Sequence, residues 1–254
     1  MNCVKPTLRI RTFTPHDYMS GSIATRETLT CSDIINIPKI YDMGVYHKVV
    51  SELNTYNDNN NGKLIVPWHK GNHSIANDRH RHGAWKLECP TITSLINDMS
   101  NAFDVTPNAT RVNIYNKYDN KPFHHDRAAF APGLSQNLTI ALSLGATREI
   151  GFKYTKFKCE PHNKWTPLPR SLPPVVISTV CEHGSIYAFA RDVNCEFQHG
   201  VLGGGGGGDD DRQTLDRISI IVWGTKRDMD FVDSRVSQRP IATPFELGVR
   251  VKNM

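Results

Sequence analysis

The sequence predicts an α+β fold: helices first, then antiparallel strands arranged as a sandwich or jelly roll. Three observations carry this. Apolar stripes at helical spacing fall before residue 104, short strand-like runs fill the chain after Pro107, and turn-rich segments separate those runs. A chain of 254 residues, 39% of them hydrophobic, suits one large domain or a domain with an N-terminal extension.

Residues 1 to about 37 are mixed, with short alternating pieces such as LRIRTF. Val45, Tyr46, Val49, Val50 and Leu53 then share one helical face, and the polar run NTYNDNNNGK (54–63) reads as a loop. A second stripe follows Pro90, through Ile92, Leu95, Ile96, Met99 and Phe103, as expected of a helix packed on a sheet. RVNIY (111–115) opens the strands. LTIALSLG (138–145) alternates Leu138, Ile140, Leu142 and Leu144 against Thr139, Ala141 and Ser143, which predicts a half-buried strand. EIGFKY, VVISTV, GSIYAFA, CEFQHGV and RISIIVWG supply further strands. A proline-rich basic segment (155–174) and GGGGGGDDDRQ (203–213) read as surface excursions between strands. No GK[ST] follows the glycines, so a phosphate loop is not indicated.

Composition narrows the class. No apolar run approaches the roughly 20 residues of a membrane helix, and MNCVKPTLRIRTF has no apolar signal region. The six cysteines (3, 31, 89, 159, 181 and 195) form no CxxC pair, so reduced thiols and a cytoplasmic or nuclear location are expected, and structural zinc is disfavoured. A net charge of +5 permits a nucleic-acid partner without requiring one.

The chemistry gathers around KPFHHD. On a strand, residues i and i+2 point to one face, so His124 and Asp126 converge while His125 points away. His-x-Asp with a distant His is the 2-His-1-carboxylate facial triad, which leaves the opposite face of an Fe(II) ion open for cosubstrate and oxygen. His199, near the end of CEFQHGV, is favoured as third ligand over His183, whose EHGS setting reads as a turn. Asn113 and Tyr115 lie upstream at i and i+2, and Arg217 opens a late apolar strand. A guanidinium that binds a carboxylate bidentately, with a tyrosine hydroxyl beside it, is what a dicarboxylate cosubstrate needs.

These elements, Asn113-x-Tyr115, His124-x-Asp126, His199-Gly200 and Arg217-x-Ser219, occur in the order of the AlkB-like Fe(II)/2-oxoglutarate dioxygenases, which the chain resembles over roughly residues 108 to 226. ATRVNIY, KPFHHD and IYAFARDVN look like a eukaryotic or viral subgroup of that family. The resemblance implies a double-stranded β-helix (jelly roll) with N-terminal helices packed on its major sheet. It divides the chain into an N-terminal extension with a candidate lid (1–107), a catalytic core (108–230) and a C-terminal tail (231–254). It implies Fe(II), 2-oxoglutarate and O2 as cofactors, with Asn113, Tyr115, Arg217 and Ser219 around 2-oxoglutarate. The reaction would convert 2-oxoglutarate to succinate and CO2 while hydroxylating the substrate. An N-methyl group treated so leaves as formaldehyde.

Trp68, Arg79, Arg81 and Trp85, in the basic and aromatic segment 68–86, are the candidate substrate-binding residues. A modified nucleobase, single-stranded or flipped out, is the leading substrate. A hydroxylase of a protein side chain or small metabolite is the alternative enzyme, and a silent nucleic-acid-binding module the alternative of another class. A monomer is expected. Two positions depart from the family pattern. Trp223 stands where a second arginine is expected, so that arginine is either missing or supplied by Arg148 or Arg127, and Ala128 stands where repair enzymes carry an acid. Both put alkylated-base repair in question.

Overall fold

The computed structural model describes residues 8–24, 33–68, 71–76, 88–126, 136–154, 157–159, 165–167, 176–203, 216–226 and 251–252. The N-terminal part gives β1 (Arg9–Thr12), the short helix α1 (Pro15–Met19), β2 (Asp33–Ile37), the helix α2 (Met43–Asn59), β3 (Ile65–Pro67), β4 (Ser74–Ala76) and the helix α3 (Pro90–Ala102). Strands β5 (Thr106–Tyr115), β6 (Lys121–His124), β7 (Leu138–Gly145) and β8 (Arg148–Tyr154) follow. After them come β9 (Phe157–Cys159), β10 (Trp165–Pro167), β11 (Val176–Cys181), β12 (Ser185–Ala190), the helical turn α4 (Arg191–Glu196), β13 (Phe197–Val201), β14 (Arg217–Thr225) and β15 (Val251–Lys252).

Two sheets face each other. The larger runs β1-β2-β12-β7-β14-β5-β4-β3 and the smaller β15-β11-β8-β13-β6, while β9 and β10 pair apart within the proline-rich excursion. Strands β5, β6, β7 and β8 alternate between the sheets, as do β11, β12, β13 and β14. All pairings among them are antiparallel. This is the double-stranded β-helix expected, in an α+β setting. The pairing of β2 on β12, and of β4 on β5, adds N-terminal strands to both flanks of the larger sheet.

The two faces of the larger sheet do different work. Its outer face (Val112, Ile140, Leu142, Leu144, Ile218, Ile220, Val222) packs under α2 and α3 in one apolar cluster. Asp42 caps α2 by accepting from the Val45 N–H, and the stripe Tyr46, Val49, Leu53 and Tyr56 is buried. The expected loop at 54 is helical through Asn59, because Tyr56 continues the buried face; the chain leaves the helix at Asn61 and Gly62, both at positive φ. The N-cap residue of α3, Cys89, makes no side-chain cap. Instead the Glu52 carboxylate of α2 accepts from the N–H groups of Thr91 (2.8 Å) and Ile92 (3.2 Å), fixing the two helices to each other.

The inner face mixes polar, charged and aromatic residues where the outer is aliphatic. β7 is buried along its whole length rather than on one side only. Thr139, Ala141 and Ser143, the set expected in solvent, face the space between the sheets, which both sheets shield from water. Across β5, β14 and β7 this face forms levels set by register: Tyr115–Arg217–Gly145, then Asn113–Ser219–Ser143, then Arg111–Ile221–Ala141, then Ala109–Trp223–Thr139.

Candidate functional site

The smaller sheet brings two distant histidines together. β13 pairs with β6 so that His199 lies directly opposite His124. Gly200 makes that approach possible, since a Cβ there would sit 2.7 Å from the Lys121 carbonyl oxygen and 3.2 Å from the Phe123 nitrogen. Asp126 lies just beyond β6. Its Oδ1 is 3.5 Å from His199 Nε2 and 3.8 Å from His124 Nε2, and one ligand atom from each of the three residues falls within 4.8 Å of the others. His183 lies elsewhere. Its Nδ1 accepts from the Gly145 N–H at 3.0 Å and its ring meets Tyr46 edge-on.

Two of the three ligands, His124 and Asp126, are oriented from behind. His124 Nδ1 donates to the Pro122 carbonyl at 2.9 Å, which leaves the Nε2 lone pair facing the cluster, buried and without a hydrogen-bond partner. Asp126 Oδ2 accepts from the Trp223 indole N–H at 2.9 Å and from the Thr139 hydroxyl at 3.3 Å, so Oδ1 alone is presented. The Asp126 backbone is clamped on both sides by Asn194 of α4, whose Oδ1 accepts the Asp126 N–H (2.9 Å) and whose Nδ2 donates to the Asp126 carbonyl (3.0 Å). The His125 ring turns away from the cluster and bonds the Asn194 carbonyl.

Electrostatics keep the trio ready for a cation. Burial, with His199 and Lys121 adding to it, pushes the His124 imidazole far below the ordinary histidine range, so it is neutral. Burial alone would raise the Asp126 carboxyl, but His199 and His124 outweigh it and hold the group ionised, below the usual carboxylate range. Two imidazole nitrogens and one carboxylate oxygen on one side of a point suit a divalent first-row metal with open positions.

A second polar group lies on the inner face of the larger sheet, on β5 and β14, whereas His124 and His199 stand on the smaller sheet. Arg217 is 0% exposed; its Nε donates to Ser143 Oγ at 2.9 Å, and its guanidinium carbon stands 5.0 Å from the Tyr115 ring centroid. Among the described residues no hydrogen-bond partner reaches its terminal nitrogens, Nη1 and Nη2, nor either amide atom of Asn113 or the Ser219 hydroxyl, all of them buried. Burial pushes the Tyr115 phenol up to about 12, with Arg217 opposing the rise, so it remains a neutral donor. An unpaired buried guanidinium is costly. A carboxylate would satisfy both terminal nitrogens at once.

The β3–β4 hairpin roofs this region. The His73 ring stacks on Tyr115 (centroids 4.7 Å apart, planes 21° apart), and the half-buried Trp68 lies 4.9 Å from His73 and 6.3 Å from His124. Of the four residues expected at the substrate, Trp68 is therefore at the site. Arg79, Arg81 and Trp85 fall outside the described residues, as do Arg127 and Ala128.

Arg148 does not replace an arginine at position 223. Its Nη atoms donate to the carbonyls of Thr147, Asn116 and Lys117, which ties down a strand end. Trp223 is instead a hydrogen-bond donor to Asp126, with the Arg111 guanidinium stacked 5.3 Å from its ring. Sequence reasoning missed Trp223, Thr139, Asn194 and Lys121 as parts of the site. Period-two alternation already placed Trp223 on the face of Arg217 and Ser219; the register that sets Asn194 behind Asp126 left no signal. The described free cysteines, Cys89 and Cys181, are buried thiols pushed up to about 12 and serve as core. No helix among the described residues is long and apolar enough to cross a membrane.

No family model matches the chain, and no curated protein matches it. Solved structures do. A 2OG-Fe(II) oxygenase family oxidoreductase from Burkholderia pseudomallei matches at 14% identity, covering 87% of this chain and 95% of that one, with a TM-score of 0.47. The epimerase SnoN, solved with Fe3+, alpha ketoglutarate and nogalamycin RO, matches at 14% identity over 82% of this chain and 84% of its own, TM-score 0.48. A Pseudomonas putida prolyl-4-hydroxylase matches at 11% identity over 76% and 92%, TM-score 0.39.

Proposed function

We propose that this protein is an Fe(II)/2-oxoglutarate-dependent dioxygenase that hydroxylates its substrate, with a modified nucleobase as the substrate class. The observation that carries the oxygenase reading is a pair of groups on the two facing sheets: the His124–Asp126–His199 cluster at the smaller sheet, and on the larger a fully buried guanidinium whose two terminal nitrogens have no hydrogen-bond partner among the described residues. The donor set fits iron, and the Arg217 pocket fits a dicarboxylate. When bound, iron with 2-oxoglutarate and O2 supplies the oxidation, one oxygen atom entering succinate and the other the substrate.

The chain's own residues do the rest. Arg217, Tyr115 and Ser219 hold the distal carboxylate of 2-oxoglutarate, with Asn113 beside them. This fixes where the other end of that molecule reaches toward the ligands. His124, Asp126 and His199 would hold the metal from one side, which would leave positions open for reactants. The packed sheets and the Trp68–His73 roof cover part of the reacting centre, which limits its contact with bulk water. The nucleobase reading is supported by Trp68, a half-buried indole at the metal site on which a base can stack. The resemblance of the motifs to AlkB-like enzymes points the same way.

The test is succinate release from 2-oxoglutarate with Fe(II), comparing wild type with His124→Ala, together with a mass-spectrometric screen of methylated oligonucleotides, peptides and metabolites. Turnover lost in the variant, with oxidised oligonucleotide as product, is the expected outcome. Equal background turnover in both proteins would refute the oxygenase reading. Product found only among peptides or metabolites would refute the nucleobase.

A further inference from the structure

Lys121 is a buried cation that neither metal nor cosubstrate needs. It is 6% exposed, at the start of β6, and its ammonium lies 5.5 Å from the Trp68 ring centroid. Among the described residues no carboxylate reaches ion-pair distance of it. The carboxylate whose field acts on it most is Asp126, and both oxygens of Asp126 are already committed, Oδ1 to the histidines and Oδ2 to Trp223 and Thr139. The Arg111 and Arg217 guanidiniums repel it as well. Burial, with those two cations, pushes its ammonium down to about 8, against the pull of Asp126, so it is still charged at neutral pH. The Trp68 face replaces only part of the hydration lost by an ammonium with three donors.

Charge sharpens the point. Arg217, with Tyr115 and Ser219, already provides for the distal carboxylate, and the other end of 2-oxoglutarate would be provided for by the metal held at His124, Asp126 and His199. Lys121 is left over, beside the indole that stands at the metal. We infer that Lys121 anchors an anionic group of the substrate, a carboxylate or phosphate, against the Trp68 face. This rests on the oxygenase reading and narrows its substrate. A phosphate beside the reacting base would come from a nucleotide, and a carboxylate from an acidic metabolite or side chain.

The experiment uses the full chain loaded with Mn(II) and saturated with 2-oxoglutarate. It is titrated calorimetrically with inorganic phosphate and, separately, with acetate, in wild type, Lys121→Met and Lys121→Arg. A hydrogen bond to a charged group corresponds to roughly tenfold to a hundredfold in affinity. The tighter of the two anions should weaken by about that factor in Lys121→Met and recover in Lys121→Arg, while 2-oxoglutarate affinity stays within about threefold. Phosphate preference would assign the anion to a nucleotide, acetate preference to a carboxylate. Equal anion affinity in wild type and Lys121→Met overturns the inference. A tenfold or greater loss of 2-oxoglutarate affinity with anion binding unchanged also overturns it, by giving Lys121 to the cosubstrate. If wild type binds neither Mn(II) nor 2-oxoglutarate, the oxygenase reading fails by itself, and the same titrations on the metal-free protein still decide whether Lys121 holds an anion.

Discussion

Replacing Trp223 with Phe deletes one donor while keeping most of the aromatic surface. In the native site the indole N–H reaches Asp126 Oδ2 at 2.9 Å, and the only other donor the structure shows at that oxygen is the Thr139 hydroxyl at 3.3 Å. Both partners are buried, at 6% and 8% exposure, so water does not substitute easily. A hydrogen bond to a charged group contributes about 1.5–3 kcal/mol. If all of it appeared as stability, Tm would fall by roughly 3–12 °C for a chain of this size, which is the upper bound on the stability share. The rest appears at the metal, because Asp126 is then free to rotate and to offer either oxygen; removal of such an outer partner lowers metal affinity by about 10–100-fold. Calorimetric titration with Mn(II), beside thermal melts and a separate 2-oxoglutarate titration, reads the three quantities independently. Trp223→Gln, which restores an N–H donor, should recover part of the metal affinity. If Trp223→Phe binds Mn(II) within about twofold of wild type, the indole is packing alone and the positioning argument is wrong.

Two further outcomes are expected. Arg217→Lys keeps the charge but loses the planar fork, so 2-oxoglutarate should bind about 10–100-fold more weakly while Mn(II) affinity holds; equal 2-oxoglutarate affinity in a fluorescence titration would remove Arg217 from the pocket. The metal-free protein should lose stability as pH falls below about 6.5. Burial, with Lys121, pushes the His73 imidazole down to about 4, and His124 is lowered in the same direction. From 6.5 toward 4 the unfolded chain takes up protons that the folded chain refuses, so stability rises with pH across that window. Tm measured from pH 7 to 5 should decline, and less steeply in His73→Gln; an equal slope in both proteins would contradict the burial argument.

Some of this was written in local spacing. A strand repeats every two residues, so KPFHHD alone placed His124 with Asp126 and set His125 apart, and RISIIVWG alone placed Arg217, Ser219 and Trp223 on a common face. The aliphatic half of LTIALSLG likewise announced a packed face. Its polar half did not say that it faced the interior between two sheets rather than water, because that depends on a second sheet built from other strands. The polar run after Leu53 hid the last turns of α2, since the one buried residue there, Tyr56, counts only once a sheet is beneath it.

The sequence by itself determined which side chains share a face, because backbone geometry repeats over a few residues and needs no partner. Only the tertiary structure decided which faces meet. The register of β13 on β6 sets His199 against His124 across 75 residues of chain. The register of β14 beside β7 turns Trp223, an apparent departure from the motif, into a donor to Asp126. The short α4 brings Asn194 behind that aspartate, and the β3–β4 hairpin lays Trp68 over Lys121. These are contacts between segments far apart in the chain, fixed when the two sheets close around one buried space, and no local period encodes them.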